Sequence, residues 1–400
     1  MRRALVPGAG FRSELSGAVA DVGVLVPIAV ALIVKNGLSP TAVLLPAGFL
    51  YVVVAIVYRL PVAVQPLKAV GAIAIAQGLG SDEIAAAALL MGVVFLVLGA
   101  TGLIDHLGRA FPRALIRGVQ LTVGLLFLKV AWGLVADPPT PFEDHAIDPA
   151  LAVPLAVAVV AIALVFRRRP VALLLVGVGV GVMLVDAGGA VTLGPSAIDV
   201  PSLSTATFVA AFTALVVPQL PLTFANSCLA PADAARTYFG DRARRITPGR
   251  LATTLGSANL LSAAISGMPV CHGAGGLTAH YAFGARTAVA PLVMGSSLIA
   301  VALVVGSGLA VLLVAFPLPV LAGLLATAGL LHIGLLRDLV GRREWVIAAG
   351  VGAIGFGLNL AVALVVGLVV WWTPSLVSWV GSSGWTSKSF LRFASRSSRP

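Results

Sequence analysis

Residues Met268 to Arg286 read MPVCHGAGGLTAHYAFGAR, and an earlier stretch, Leu60 to Gly78, reads LPVAVQPLKAVGAIAIAQG. The first packs four glycines, two histidines, a cysteine and a proline into 19 residues. Around both, the chain is 59% hydrophobic and only 10% charged, with a mean hydropathy of +1.05. That composition excludes an ordinary water-soluble domain. An unpaired backbone N–H in hydrocarbon costs several kcal/mol, so irregular backbone persists there only where protein or a wet cavity surrounds it. Both interrupted stretches are therefore expected to line a buried site.

Working outward, apolar runs long enough to cross a hydrocarbon core of ~30 Å recur along the chain. They predict spans at 14–34, 40–58, 64–79, 84–104, 112–135, 150–166, 171–186, 204–228, 249–265, 271–284, 287–308, 310–333, 344–360 and 361–377. The expected fold class is an all-α polytopic membrane protein of 14 segments. The net charge of +11 does not imply a nucleic-acid partner, because the cations fall in short loops between spans, where they set orientation. With the N-terminus inside, arginines such as Arg59, Arg109, Arg167 and Arg242 fall on the cytoplasmic side, and Lys35 on the outside. This parity predicts a multi-pass protein of the cell (cytoplasmic) membrane with both termini cytoplasmic, in contact with the lipid bilayer. The basic start leads into the first span without a cleavage site, so a retained anchor is expected. Only Cys228 and Cys271 occur, and no disulfide framework is implied.

An internal repeat supports this organisation. FPRALIRGVQLTVGLL (Phe111 to Leu126) matches FPLPVLAGLLATAGLL (Phe316 to Leu331) at an offset of 205, and Pro61-Val62 matches Pro269-Val270 at 208. Seven spans repeated as seven must enter from opposite sides, giving an inverted repeat. The expected divisions are a cytoplasmic N-terminus at 1–13, a first repeat at 14–186, an extracellular linker at 187–203, a second repeat at 204–377 and a disordered cytoplasmic tail at 378–400. Chance similarity among Leu-, Gly- and Ala-rich helices is the alternative.

In the earlier stretch the prolines predict an extended start, with a half-helix beginning at Pro66 and Gln65 as its N-cap. Lys68 then lies in the first turn, where the macrodipole is already positive, so an anion is expected beside it. In the later stretch Gly273, Gly275 and Gly276 leave backbone N–H groups unshielded at a helix start, which suits an oxyanion. A dianion about 4 Å from Lys68 gains roughly 8 kcal/mol gross at an effective dielectric near 20, before desolvation. In the eighth span Gln219, Thr223 and Asn226 follow at i, i+4 and i+7, neutral donors with no carboxylate to repel an oxyanion.

Each element has a plainer explanation. Lys68 could pair with Asp21 or Glu14, the glycines could serve close helix packing, and the polar triplet could be interhelical glue. His272 and His280 lack a third metal ligand nearby, so no metal site is predicted. Cys271 and His272 could be taken for a nucleophilic dyad, but adjacent residues rarely orient for proton transfer and no third member is evident. No nucleotide-binding motif and no cofactor is predicted.

Four motifs in order, ELSGAVADVG (Glu14 to Gly23), PVAVQPLKA (Pro61 to Ala69), PQLPLTFANS (Pro218 to Ser227) and MPVCHGAGG (Met268 to Gly276), resemble those of the molybdate transporter family of plants and bacteria. That family is related to the sulfate permeases. The resemblance covers about residues 11–377 and implies seven-plus-seven inverted repeats forming core and gate domains, with substrate between two broken helices. It implies substrate contacts from Gln65 and Lys68, from Gln219, Thr223 and Asn226, and from Cys271, His272, Gly273, Gly275 and Gly276. Two departures bear on substrate preference: Val24 stands where the family often has Thr, and Thr278-Ala279-His280-Tyr281-Ala282 follows Leu277. The tail is too short for the cytoplasmic regulatory (STAS) domain that sulfate permeases usually carry.

The expected function is secondary transport of a tetrahedral oxyanion, molybdate or sulfate, by alternating access. Driving a dianion against an inside-negative potential costs about 2.3 kcal/mol per charge per 100 mV, so proton coupling through Glu14, Asp21 or His272 is expected. The rivals are a nucleobase or aromatic-acid permease of the same fold, a membrane enzyme using Cys271 and His272, and an anion channel. A homodimer is open.

Overall fold

The computed structural model describes residues 10–19, 22–104, 112–166, 171–186 and 192–381. Asp21, most of the expected N-terminal segment (1–9), Arg109, Arg167 to Arg169, part of the linker (187–191) and most of the tail (382–400) lie outside the described residues.

Among the described residues the chain is helical apart from one two-stranded pair. In order the elements are α1 (Phe11–Ala18), α2 (Val22–Val34), α3 (Pro40–Val57), β1 (Gln65–Pro66), α4 (Lys68–Gln77), α5 (Ser81–Thr101), α6 (Arg113–Ala136), α7 (Pro149–Val165) and α8 (Val171–Asp186). Then come α9 (Thr205–Arg245), α10 (Pro248–Ala264), β2 (Val270–Cys271), α11 (Ala274–Ala282), α12 (Val289–Val304), α13 (Gly306–Val314), α14 (Leu318–Gly334), α15 (Arg342–Gly357) and α16 (Leu360–Gly381). Local chemistry sets many of the starts. Ser39 accepts from Ala42 N and Thr247 from Arg250 N, each followed by a proline at the first helical position.

Five helices are individually long and apolar enough to cross a membrane: α3, α5, α6, α9 and α14 with the turn that extends it to Asp338. A sixth arises if α12 and α13, bent by 91°, form one span. Helices α2, α4, α7, α8 and α16 contain shorter apolar stretches. The twelfth expected run, 310–333, is corrected: α13 ends at Val314 and α14 begins at Leu318. Pro317 and Pro319 supply no N–H, and proline disfavours helical backbone in the residue before it, so the helix cannot run through.

In lipid there is little hydrophobic drive between helices, and close backbone approach supplies packing instead. The main helix pairs are α5 with α10, α3 with α12 and α6 with α14, while α15 lies on α6 and α7 on α14. Where α6 crosses α14, Gly124 and Gly329 meet, and a Cβ on either would stand 2.7 Å from the other's carbonyl oxygen. Only glycine allows that approach.

Candidate functional site

The two interrupted stretches meet. β1 and β2 pair antiparallel, Gln65 opposite Cys271 and Pro66 opposite Val270, and Leu67 N donates to Pro269 O at 2.9 Å. Because the pair is antiparallel, α4 departs at Lys68 from one end of this short ladder and α11 at Ala274 from the other, so the two half-helix starts flank the same two-residue ladder. Prolines 61, 66 and 269 keep the residues before them extended, which is why both stretches enter as strand. The ladder is held from behind by α10. Asn259 Nδ2 donates to Val270 O and Val270 N to Asn259 Oδ1, both at 2.8 Å, while Ser262 Oγ donates to Met268 O at 2.7 Å. Sequence reasoning missed Asn259 and Ser262. The available signal was two polar residues three apart, and so on one face of a helix.

The expected N-cap is corrected. α4 begins at Lys68 with Leu67 in the cap position, because Pro66 is taken up in the strand ladder. Gln65 instead accepts a hydrogen bond from Lys68 Nζ at 2.6 Å. The cap comes from another helix: Gln219 Oε1 on α9 accepts from Ala69 N at 2.9 Å and Val70 N at 3.2 Å, and Gln219 Nε2 donates to Thr223 Oγ1 at 3.0 Å. Gln65, Lys68, Gln219 and Thr223 thus form one connected group. From Thr223 to Leu229 the helix widens into π turns, which moves Asn226 off the line that α periodicity predicts. Asn226 is half-buried and makes no side-chain hydrogen bond among the described residues.

The start of α11 differs. Gly273 is its N-cap, with no side-chain cap, so the first-turn N–H groups keep their donor capacity. A Cβ on Gly273 would overlap Gln65 Oε1, whereas one on Gly275 would meet nothing within 4 Å. Gly275 is exposed and Gly276 buried. One half-helix start is therefore capped by the protein, and the other is open.

Lys68 is 8% exposed and, among the described residues, has no carboxylate partner; the one ion pair there joins Arg117 and Asp338. Glu14 on α1 is not that partner: its Oε1 accepts from Arg286 N at 2.9 Å, and its Oε2 bonds to no described residue. His332 on α14, absent from the sequence expectations, lies within electrostatic range of Lys68.

His272 is fully buried, and both ring nitrogens are engaged, Nδ1 with Ala63 O at 3.1 Å and Nε2 with Thr254 Oγ1 at 2.8 Å. Tyr58 extends this chain, its hydroxyl 2.7 Å from Thr254 Oγ1 and its ring edge-on to the imidazole. The imidazole thus braces β2 against α10 and the approach to β1. Cys271 is buried, its thiol donating to Pro66 O at 3.6 Å. His280 sits farther along α11, Nδ1 2.6 Å from Gly17 O. No cluster of three metal-ligating side chains occurs among the described residues.

Two hollows border the molecule elsewhere, and neither includes a residue of this group. One, about 410 Å³, lies beside Tyr58 and Arg59. The other, about 220 Å³, lies past the C-terminal end of α4, between Lys35, Lys129 and Asp137. Partial burial lowers the pKa of Lys35, and the like charge of Lys129 lowers it further. With Gln65 3% and Lys68 8% exposed, the central group is buried.

The chain is 28% identical to "Molybdate transporter 2" of Arabidopsis thaliana over 423 aligned residues, covering 92% of this chain and 90% of that protein. Its fold is that of the transmembrane domain of the cyanobacterium bicarbonate transporter BicA (TM-score 0.61, 17% identity, 90% of this chain and 98% of that one). It is also that of murine Slc26a9, an anion transporter in the inward-facing state (TM-score 0.65, 13% identity, 94% and 70%). The family described as "Molybdate transporter of MFS superfamily" matches residues 13–127 and 211–331, more than half of the chain. The chain therefore belongs to the molybdate transporter family, whose members are membrane transporters and not enzymes.

Proposed function

We propose that this protein is a secondary transporter of a tetrahedral oxyanion, molybdate first and sulfate second, that works by alternating access. One observation carries the proposal: a buried lysine with no described carboxylate partner stands at a half-helix start, and a second half-helix start without a side-chain cap leaves the same two-stranded ladder. Both the ammonium and the open N–H groups favour negative charge. An oxyanion would take hydrogen bonds from Lys68 and the first turn of α11, with Gly275 leaving room for close approach. Gln65 would orient the ammonium, and Gln219 and Thr223 would hold the start of α4. Asn226, a donor without a described partner, would complete the shell on binding, while Cys271 on β2 and His272 directly after it contribute through the backbone they hold.

The fourteen-segment inverted repeat belongs to the same proposal, and its support is the packing. An exchange of α3 with α10, α5 with α12, α6 with α14 and α7 with α15 turns each main helix pair into another main pair or into itself. The repeat-matched Gly118 and Gly323 behave alike: a Cβ on the first would press on Val351 and Ala348 O, and on the second on Val159 and Ala156 O. In each case the contacts come from a residue and its neighbour three positions back. Residence in the cell membrane with cytoplasmic termini follows from the loop charges. Association into a homodimer is part of the proposal as well.

Import of a dianion against the membrane potential needs a driving ion. Glu14 is proposed as the proton carrier: it is buried, and its Oε2 makes no hydrogen bond with described residues. Asp21 shares the candidacy by sequence alone. His272, with both ring nitrogens engaged, is the weaker carrier.

A nucleobase or aromatic-acid permease of the same fold would call for a carboxylate facing the half-helices to accept N–H groups, and none of the described carboxylates joins the central group. The test is uptake of labelled molybdate, sulfate and uracil into proteoliposomes. Saturable uptake of molybdate or sulfate, lost in a normally folded Lys68→Ala variant, is expected. Uptake of uracil alone, conductance that does not saturate, or full activity of Lys68→Ala would defeat the proposal.

A further inference from the structure

The loop leaving α3 and the turn ending α9 border the open hollow of about 410 Å³. Tyr58 and Leu60 form its buried side, while Arg59, Arg242, Arg244 and Arg245 surround it with Asp241 as the one acid. Four guanidiniums face one carboxylate. Asp241 neutralises none of them, since the one ion pair among the described residues lies elsewhere. Arg242 donates to Arg286 O at 2.9 Å, whereas the side chains of Arg59, Arg244 and Arg245 donate to no described residue.

Fixing orientation in a membrane requires only that positive charge sit in a loop. It does not require side chains from two distant loops to converge on one hollow. Planar guanidinium forks match phosphate oxygens two at a time, and several together select a multiply charged phosphate over a single carboxylate. The hollow lies on the side that the charge rule assigns to the cytoplasm, where phosphate is available as a lipid headgroup and as a free anion.

We propose that this arginine-lined hollow is a second anion site, distinct from the half-helix site, that binds a phosphate group. Its ligand is the phosphate of an anionic lipid headgroup or of a soluble phosphate. Occupancy would be felt at β2, because Tyr58 on its buried side is hydrogen-bonded through Thr254 to His272.

The purified full-length chain in detergent would be titrated calorimetrically with pyrophosphate, and its retention of phosphatidic acid would be followed by native mass spectrometry. The wild type would be compared with Arg59→Gln/Arg244→Gln and with Arg342→Gln/Arg343→Gln, which removes the same charge away from the hollow. One bound equivalent is expected, weakened about tenfold or more by the first pair, on the order of 1.4 kcal/mol, and by less than about twofold in the control. Pyrophosphate binding without retained lipid identifies the soluble source, and the reverse identifies the headgroup. The proposal is overturned if neither probe binds, if both double variants bind equally, or if Lys68→Ala abolishes the binding, which would assign it to the half-helix site. Should the first variant melt below the control, Arg244→Gln alone replaces it in the same comparison. None of these readouts depends on which anion is transported.

Discussion

Gly124 and Gly329, 205 residues apart, meet across the α6–α14 crossing, where a Cβ on either would stand 2.7 Å from the other's carbonyl oxygen. Alanine at either position forces the helices apart. Gly124→Ala and Gly329→Ala should each destabilise the protein by about 1–3 kcal/mol, the usual cost of overpacking. Thermal melting in detergent measures this, and an unchanged midpoint in both variants would mean that the crossing is looser than described.

Gln219 caps a helix that belongs to a different segment. Gln219→Ala leaves two buried N–H groups unpaired, and melting should report a loss of about 1–2 kcal/mol. Gln219→Glu keeps the acceptor and adds a negative charge beside the proposed anion position. That variant should melt within about 1 kcal/mol of wild type yet lose at least about tenfold in uptake. Equal uptake by the glutamate variant would speak against an anion at this helix start.

Two glycines of the same motif should respond differently. Gly273→Ala drives a methyl group into Gln65 Oε1, the oxygen that orients Lys68, so uptake should collapse. Gly275→Ala has open space, so the fold should tolerate it. Its effect should fall on KM, by narrowing the anion's approach. A Gly273→Ala protein with wild-type transport would show that the Gln65–Lys68 contact is dispensable.

Cys271→Ala should retain uptake within about twofold, since the thiol is a buried weak donor whose contact to Pro66 O is long, at 3.6 Å. Complete loss of transport in a protein that melts normally would give the thiol a direct role.

Glu14→Gln tests coupling. If the carboxylate carries the proton, the variant should still exchange labelled molybdate for unlabelled molybdate, while uptake becomes indifferent to an imposed pH gradient. A gradient response equal to wild type would remove Glu14 from the mechanism.

Hydropathy and the two Pro- and Gly-interrupted stretches were sufficient by themselves to indicate a helical membrane protein with paired half-helices, because a bilayer leaves unsatisfied backbone nowhere else to go. The motif spellings pointed to the family for the same reason: Pro66, Lys68 and the glycines from 273 to 276 are residues that lipid-facing helices have little use for. What sequence could not decide is who partners whom. Pro66 reads as a helix start but lies in a strand, because its partner Val270 is some 200 residues away. Gln65 reads as a cap but holds Lys68, and the cap comes from Gln219 on another helix. Asn259, Thr254 and Tyr58 belong to none of the motifs in the sequence, and folding places them behind β2 and His272. Periodicity and composition act along the chain, whereas hydrogen-bond partners of a buried group are chosen across it, and only the packed structure makes that choice.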